Sequence, residues 1–249
     1  SSEPACEHEV ACIYQLDRRV DGTTCPHHDL APRYKGLWMP LANSDLPVAT
    51  ALLLQQVRAC TLCAPNLALG VRPILQVHPA ARILVVGQAP GIRVHNSGVP
   101  FDDASGDRLR EWMGITREVF YDPTKMAIVP MGFCYPGTGK SGDLPPRPEC
   151  VPRWRQQVLG HLPDVELTLV IGQYAQAWHL PKSYNSSVTS TVERWQQYAP
   201  SVIPLPHPSP RNNIWLKRNP WFSETLLPEL KRLVVRALDW TKLRTSMLQ

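Results

Sequence analysis

No run of apolar residues in this 249-residue chain approaches the ~18 that a membrane-spanning helix needs. A charged start followed by an apolar centre, the pattern of a secretory signal, is missing too. Together these absences predict a soluble intracellular protein. Cysteine is present but in an odd number, seven, which without a secretion signal argues against a disulfide framework and leaves metal binding or chance. The one Gly-rich turn after a strand, Gly87-Gln88-Ala89-Pro90-Gly91, has neither the lysine of a phosphate-binding loop nor the third glycine of a dinucleotide fingerprint. A nucleotide hydrolase is therefore a poor reading of that turn.

What is there is enough for a large core: 43% of residues are apolar, while 26 prolines make the chain rich in loops. A net charge of +5 permits a polyanionic partner. Residues 1–46 differ from the rest, being polar and without a sustained period. Cys6, His8, Cys12, Cys25, His27 and His28 there are competent metal ligands, but their spacing fits no ligand pattern. The segment is read as an irregular extension ahead of a single domain over 47–249.

Within that domain, strands alternate with helices. Ser44 or Asp45 is expected to cap a helix with Pro47 in its first turn and Leu52, Leu53 and Val57 on its apolar side, ending near Cys60 and Cys63. Strands are expected at Ile83 to Val86, Met126 to Met131, Leu167 to Ile171 and Ser201 to Leu205. Helices are expected from Ser105 to Gly114, Trp154 to Leu162, Gln173 to His179, and from Asn219-Pro220 onward with Phe222, Leu226, Leu230, Leu233 and Val234 inward. This order predicts an α/β fold of three layers, α/β/α, around a central four-stranded parallel sheet. Ligands of such sheets bind at the strand C-terminal ends, so the loops 87–106 and 206–213 are expected to face one crevice.

Four features then combine: GQAPG at 87–91, Pro100-Phe101, the cysteine order Cys60-x-x-Cys63 then Cys134 and Cys150, and His207-Pro208-Ser209-Pro210-Arg211-Asn212. This ordered set resembles the uracil-DNA glycosylase superfamily over about residues 48–240, and the cysteines resemble its iron-sulfur branch, family 4. The resemblance implies a DNA glycosylase of base-excision repair, hydrolysing the N-glycosidic bond of a flipped, deaminated or damaged base, with no second, strand-cleaving activity. Its partner would be DNA, and the protein would be a monomer in a bacterial-type cytoplasm, associated with the nucleoid.

The resemblance also implies roles. Cys60, Cys63, Cys134 and Cys150 would hold a 4Fe–4S cluster, with zinc at the same thiolates as the alternative and four unconnected thiols as the plainest one. Gly87, Gln88 and Ala89 would line the base pocket and Phe101 would stack on the base. His207 would stabilise charge on the base oxygen. Ser209 would hold a DNA phosphate, Arg211 and Asn212 would enter the duplex, and Lys217 and Arg218 would add phosphate contacts or be a solvated pair.

This chain departs from the family's pattern at specific positions. The water-activating Asp of one branch is Ala89 here, and the Glu usual in family 4 is Gln88. Arg93-Val94-His95 stands where that family is acidic. His95 is the first candidate to orient water, followed by Asp102 and Asp103, whose alternative role is capping a helix. The uracil-reading Asn falls on Pro130, which has no amide to offer. Gln173, Tyr135 and Asn96 are the candidates to read the base instead. A catalytically weak or inactive DNA-binding protein of the same fold is the alternative reading.

Overall fold

The computed structural model describes residues 46–140, 142–180 and 187–247, with side chains described as far as residue 239. The 1–46 extension and its cysteines and histidines lie almost entirely outside the described residues, as do Ser44 and Asp45.

The central sheet is built from β1 (Ile83–Val86), β2 (Met126–Ile128), β5 (Leu167–Ile171) and β6 (Val202–Leu205), in the order β2-β1-β5-β6 and all parallel. β1 is apolar at every position because both of its faces are covered. Its pleat sends Ile83 and Val85 to one core and Leu84 and Val86 to the other. The first core is closed by α3 (Ala104–Met113) and α9 (Leu227–Met247). The second is closed by α1 (Val48–Arg58), α5 (Gln156–Gly160) and α6 (Gly172–His179). Two faces, each sealed by helices, make the three layers that the alternation of elements predicts. No helix among the described residues is long and apolar enough to cross a membrane.

Several boundaries differ from expectation for identifiable reasons. In α1 the inward residues are Leu53, Leu54 and Val57, while Leu52 is exposed, so the apolar face is rotated by about one position. Regular β2 ends at Ile128 rather than Met131 because Pro130 has no N–H to give to the ladder. Pairing nevertheless resumes beyond it: the Met131 and Gly132 N–H groups donate to the carbonyls of Gly87 and Gln88 at 2.9 Å. The expected helix from Trp154 begins earlier as a wide turn over 151–155, and the last helix starts as a similar wide turn over 222–226. Four short helices had no periodic signal long enough to read: α2 (Ile92–Ser97), α4 (Arg117–Tyr121), α7 (Val188–Glu193) and α8 (Asn213–Arg218). So too the β3 (Thr138–Gly139) and β4 (Gly142–Asp143) hairpin, inside what composition marks only as a Gly- and Pro-rich loop.

The inward face of the last helix is as expected, with Phe222, Leu226, Leu230 and Val234 fully buried and Leu233 nearly so. Phe222 sits edge-on to Trp112 of α3 at 4.8 Å between ring centroids and to Trp215 at 5.6 Å, joining three segments of one face. Phe222→Ala is expected to cost about 3–5 kcal/mol of stability. The check is a urea titration, in which the midpoint should fall with the slope preserved.

Candidate functional site

Two connections leave neighbouring strands in opposite directions. The chain leaves β1 for β2 on one side, and leaves β5 for β6 on the other. At such a reversal the loops part and open a crevice at the strand C-terminal ends. Here that crevice is an open cleft of about 590 Å³. Its lining includes Gly87, Gln88 and Ala89 from the loop after β1, together with Phe101, and His207, Ser209, Arg211 and Asn212 from the loop after β6. Both loops singled out from the sequence thus meet at one site.

Phe101 holds a left-handed backbone, φ 54°, the only described non-glycine residue with positive φ. That conformation is costly for a side chain with a Cβ and persists only where the surroundings impose it. They do so closely: a Cβ on Gly106 would lie 1.8 Å from the Phe101 carbonyl oxygen, so only glycine fits there. The Tyr121 hydroxyl donates to the Pro100 carbonyl at 2.9 Å, and Asp103 caps α3 by accepting from the Gly106 N–H at 2.9 Å. The ring of Phe101 then lies against Gly87, where a Cβ would touch it at 3.4 Å, and edge-on to Phe120.

The loop after β6 is braced from within. The Ser209 N–H donates to His207 Nδ1 at 3.2 Å, which leaves the proton of the neutral ring on Nε2. Asn212 donates its side-chain N–H to the His207 carbonyl at 2.7 Å, and Arg108 of α3 donates to the Ser209 carbonyl at 3.1 Å. The Ser209 hydroxyl accepts from the Arg211 N–H at 3.2 Å. His207 is reached by solvent, yet the cleft walls exclude enough of it to push the imidazole pKa down, against the upward pull of Asp103 and Asp143. At neutral pH the ring is therefore uncharged and is a donor through Nε2.

Other expected residues lie elsewhere. His95 does not line the cleft. It falls on the inward side of α2, buried against Tyr135, with Nδ1 lacking a hydrogen-bond partner among the described residues, and burial followed by the nearby Arg72 pushes its pKa down. The short helix, unread from sequence, turned it away. Asp102 pairs with Arg117 at 2.8 Å and Asp103 is the helix cap, although Asp103 also borders the cleft. Gln173, Tyr135 and Asn96 do not line the cleft, and neither do Lys217 and Arg218. Pro130 does, and its carbonyl accepts from the buried Arg155 at 3.2 Å.

The structure adds one carboxylate that sequence reasoning missed, Asp143, which lines the cleft from β4. Its signal was the spacing of Gly139 and Gly142 in the sequence, that of a tight hairpin.

Away from the cleft, Cys60, Cys63, Cys134 and Cys150 all border a narrow apolar pocket with Val57, Phe133 and Trp154. None of the four is in a disulfide. Among the described residues no three Cys, His, Asp or Glu side chains form a ready metal-binding group. Burial pushes the pKa of Cys63 and Cys134 up and that of Cys150 up to about 12. Arg147 pairs with Glu149 at 2.5 Å beside the pocket, and the Cys63 thiol approaches the same carboxylate at 3.8 Å.

In NMR, His207 is expected to carry its proton on Nε2 and to titrate below the ordinary histidine value of about 6.5. Protonation at Nδ1 in the neutral ring, or an elevated midpoint, would contradict the geometry of this loop.

A comparison with known protein families agrees with this arrangement. The family model of the uracil DNA glycosylase superfamily matches residues 75–231, more than half of the chain and spanning the sheet and both cleft loops. The chain belongs to the uracil DNA glycosylase superfamily.

Proposed function

We propose that this chain is a DNA glycosylase that hydrolyses the N-glycosidic bond of a flipped, deaminated or damaged base. The observation that carries the reading is the Ser209 N–H donated to His207 Nδ1, which leaves a neutral ring, in a residue that lines the cleft, with its donor at Nε2. A base leaving as an anion needs such a donor at its oxygen, and a fixed donor in a site of restricted water stabilises that charge without reorganising. Phe101, already held in a costly conformation, offers a ring face for the extruded base. The backbone of Gly87 to Ala89 forms the wall beside it. Ser209, Arg211 and Asn212 border the same cleft and would engage the DNA backbone and the gap left by the base.

The same reading assigns a 4Fe–4S cluster to Cys60, Cys63, Cys134 and Cys150, with zinc as the alternative. Its support is the donor set: four thiols on one apolar pocket, drawn from the end of α1 and from both ends of the loop after β2. Four thiolates are the usual ligand set of such a cluster. When bound it would supply a cross-link between those segments rather than chemistry at the cleft. Protein prepared without oxygen is expected to be brown and to contain ~4 irons per chain. Colourless protein with stoichiometric zinc would replace the cluster by the alternative.

A second reading, lesion binding with little or no excision, draws on Pro130. At the strand end where a side-chain amide would read uracil, the chain offers neither a side-chain nor a backbone donor, and the Pro130 carbonyl is bonded to Arg155.

One assay separates the two. Oligonucleotides carrying a single uracil, hypoxanthine, xanthine or hydroxymethyluracil are incubated with the protein and then treated with alkali. At least one should be cleaved at the lesion, and His207→Ala should slow that reaction by ~10²–10³-fold, the usual cost of removing such a donor. Background cleavage throughout, with tight and salt-dependent binding to lesion DNA, would favour the second reading.

A further inference from the structure

The opening turn of this site carries no acid, since Gln88 and Ala89 hold the positions nearest the strand end. Hydrolysis of a glycosidic bond still requires water to be oriented and relieved of a proton. The carboxylates near the cleft can be accounted for one by one. Asp102 is paired with Arg117, Asp107 with Arg110, and Asp103 is committed to the α3 cap. The Asp143 carboxylate has neither a hydrogen bond nor an ion pair among the described residues, and it faces the cleft.

Its position is built rather than incidental. The β3–β4 hairpin pairs Thr138 with Asp143 and Gly139 with Gly142. The hairpin is tied down at its base, where the Leu144 N–H donates to the Gly137 carbonyl at 2.8 Å and Gln88 donates its side-chain N–H to the Leu144 carbonyl at 2.9 Å. Gln88 thus fastens the hairpin to the opening turn instead of serving as an acid. Asp143 consequently lies over Gly91, where an added Cβ would meet its Oδ2 at 3.4 Å. On the other side, an added Cβ on Gly142 would be 3.0 Å from Arg211 Nη1, so the hairpin spans from the opening turn to the loop that carries His207.

We propose that Asp143 is the catalytic carboxylate of this chain, holding the attacking water and accepting its proton, in place of the acid that the opening turn lacks. This rests on the glycosylase reading above. The water oxygen bonds to C1′ of the deoxyribose while the C1′–N bond breaks and its electron pair leaves on the base. His207 stabilises that charge through Nε2–H. The water proton passes to the Asp143 carboxylate and then to solvent, from which the base anion is protonated. The products are an abasic site and the free base, and no redox partner is needed.

The test is single-turnover excision by the full-length, metal-replete protein, on whichever lesion the wild type cleaves, beside binding to the same DNA. Asp143→Asn, which keeps shape and removes the charge, is expected to lower the rate about 100-fold or more, the span of a lost general base. Its affinity for lesion DNA should be unchanged or higher, because a negative charge facing phosphates is gone. Asp143→Ala should recover part of the rate with added formate, which returns a carboxylate to the gap. Retention of the wild-type rate to within about 3-fold by Asp143→Asn, or parallel loss of rate and affinity, would overturn the proposal while leaving the glycosylase reading intact. A wild type that cleaves no lesion would remove both together.

Discussion

The site depends first on the parallel pairing of β1 with β5 and of β5 with β6. Parallel strands release their loops at the same edge, and β1 and β6 lie two strand spacings apart, roughly 10 Å. That gap separates the two loops that line the cleft. Because β1 continues to β2 on one side and β5 to β6 on the other, the loops part at the strand ends, and the β3–β4 hairpin of the β2–β5 connection reaches across from the opening turn toward the loop after β6. Phe101, His207 and Asp143 come from three different connections, and each reaches the cleft only because the sheet places its connection there.

Local devices then hold the walls. The chain accepts a left-handed phenylalanine at 101, and Gly106, the Asp103 cap and Tyr121 surround the strained segment closely enough to keep it. His207 is treated with similar care. Its tautomer is set by a backbone N–H two residues on, its carbonyl by Asn212 and its loop by Arg108 of α3. The resulting cleft is lined by a histidine that donates through Nε2 and by the carboxylates of Asp103 and Asp143.

Much of this was legible in order rather than in detail. The apolar strand Ile83 to Val86, the inward positions of the last helix and the convergence of the 87–106 and 206–213 loops follow from periodicity and from the geometry of parallel sheets. Two departures from expectation lie in short elements. A six-residue helix has too few turns to display a period, and its unrecognised turn carried His95 inward. The hairpin at 138–143 was hidden among glycines and prolines, and Asp143 with it. Gln88 lines the cleft, and its amide also ties down that hairpin.

By itself the sequence determined the alternation of strands and helices, the two-sided burial of the sheet and the identity of the ordered motifs, because these depend on hydrophobic period and on residue type at fixed spacing. Only the tertiary structure decided which side chains share the cleft. That Asp143 enters it and His95 does not, and that His207 is a donor through Nε2, follow from contacts between residues distant in the chain or from hydrogen bonds at loop ends. Neither kind of contact leaves a period in the sequence, so neither is visible until the chain is folded.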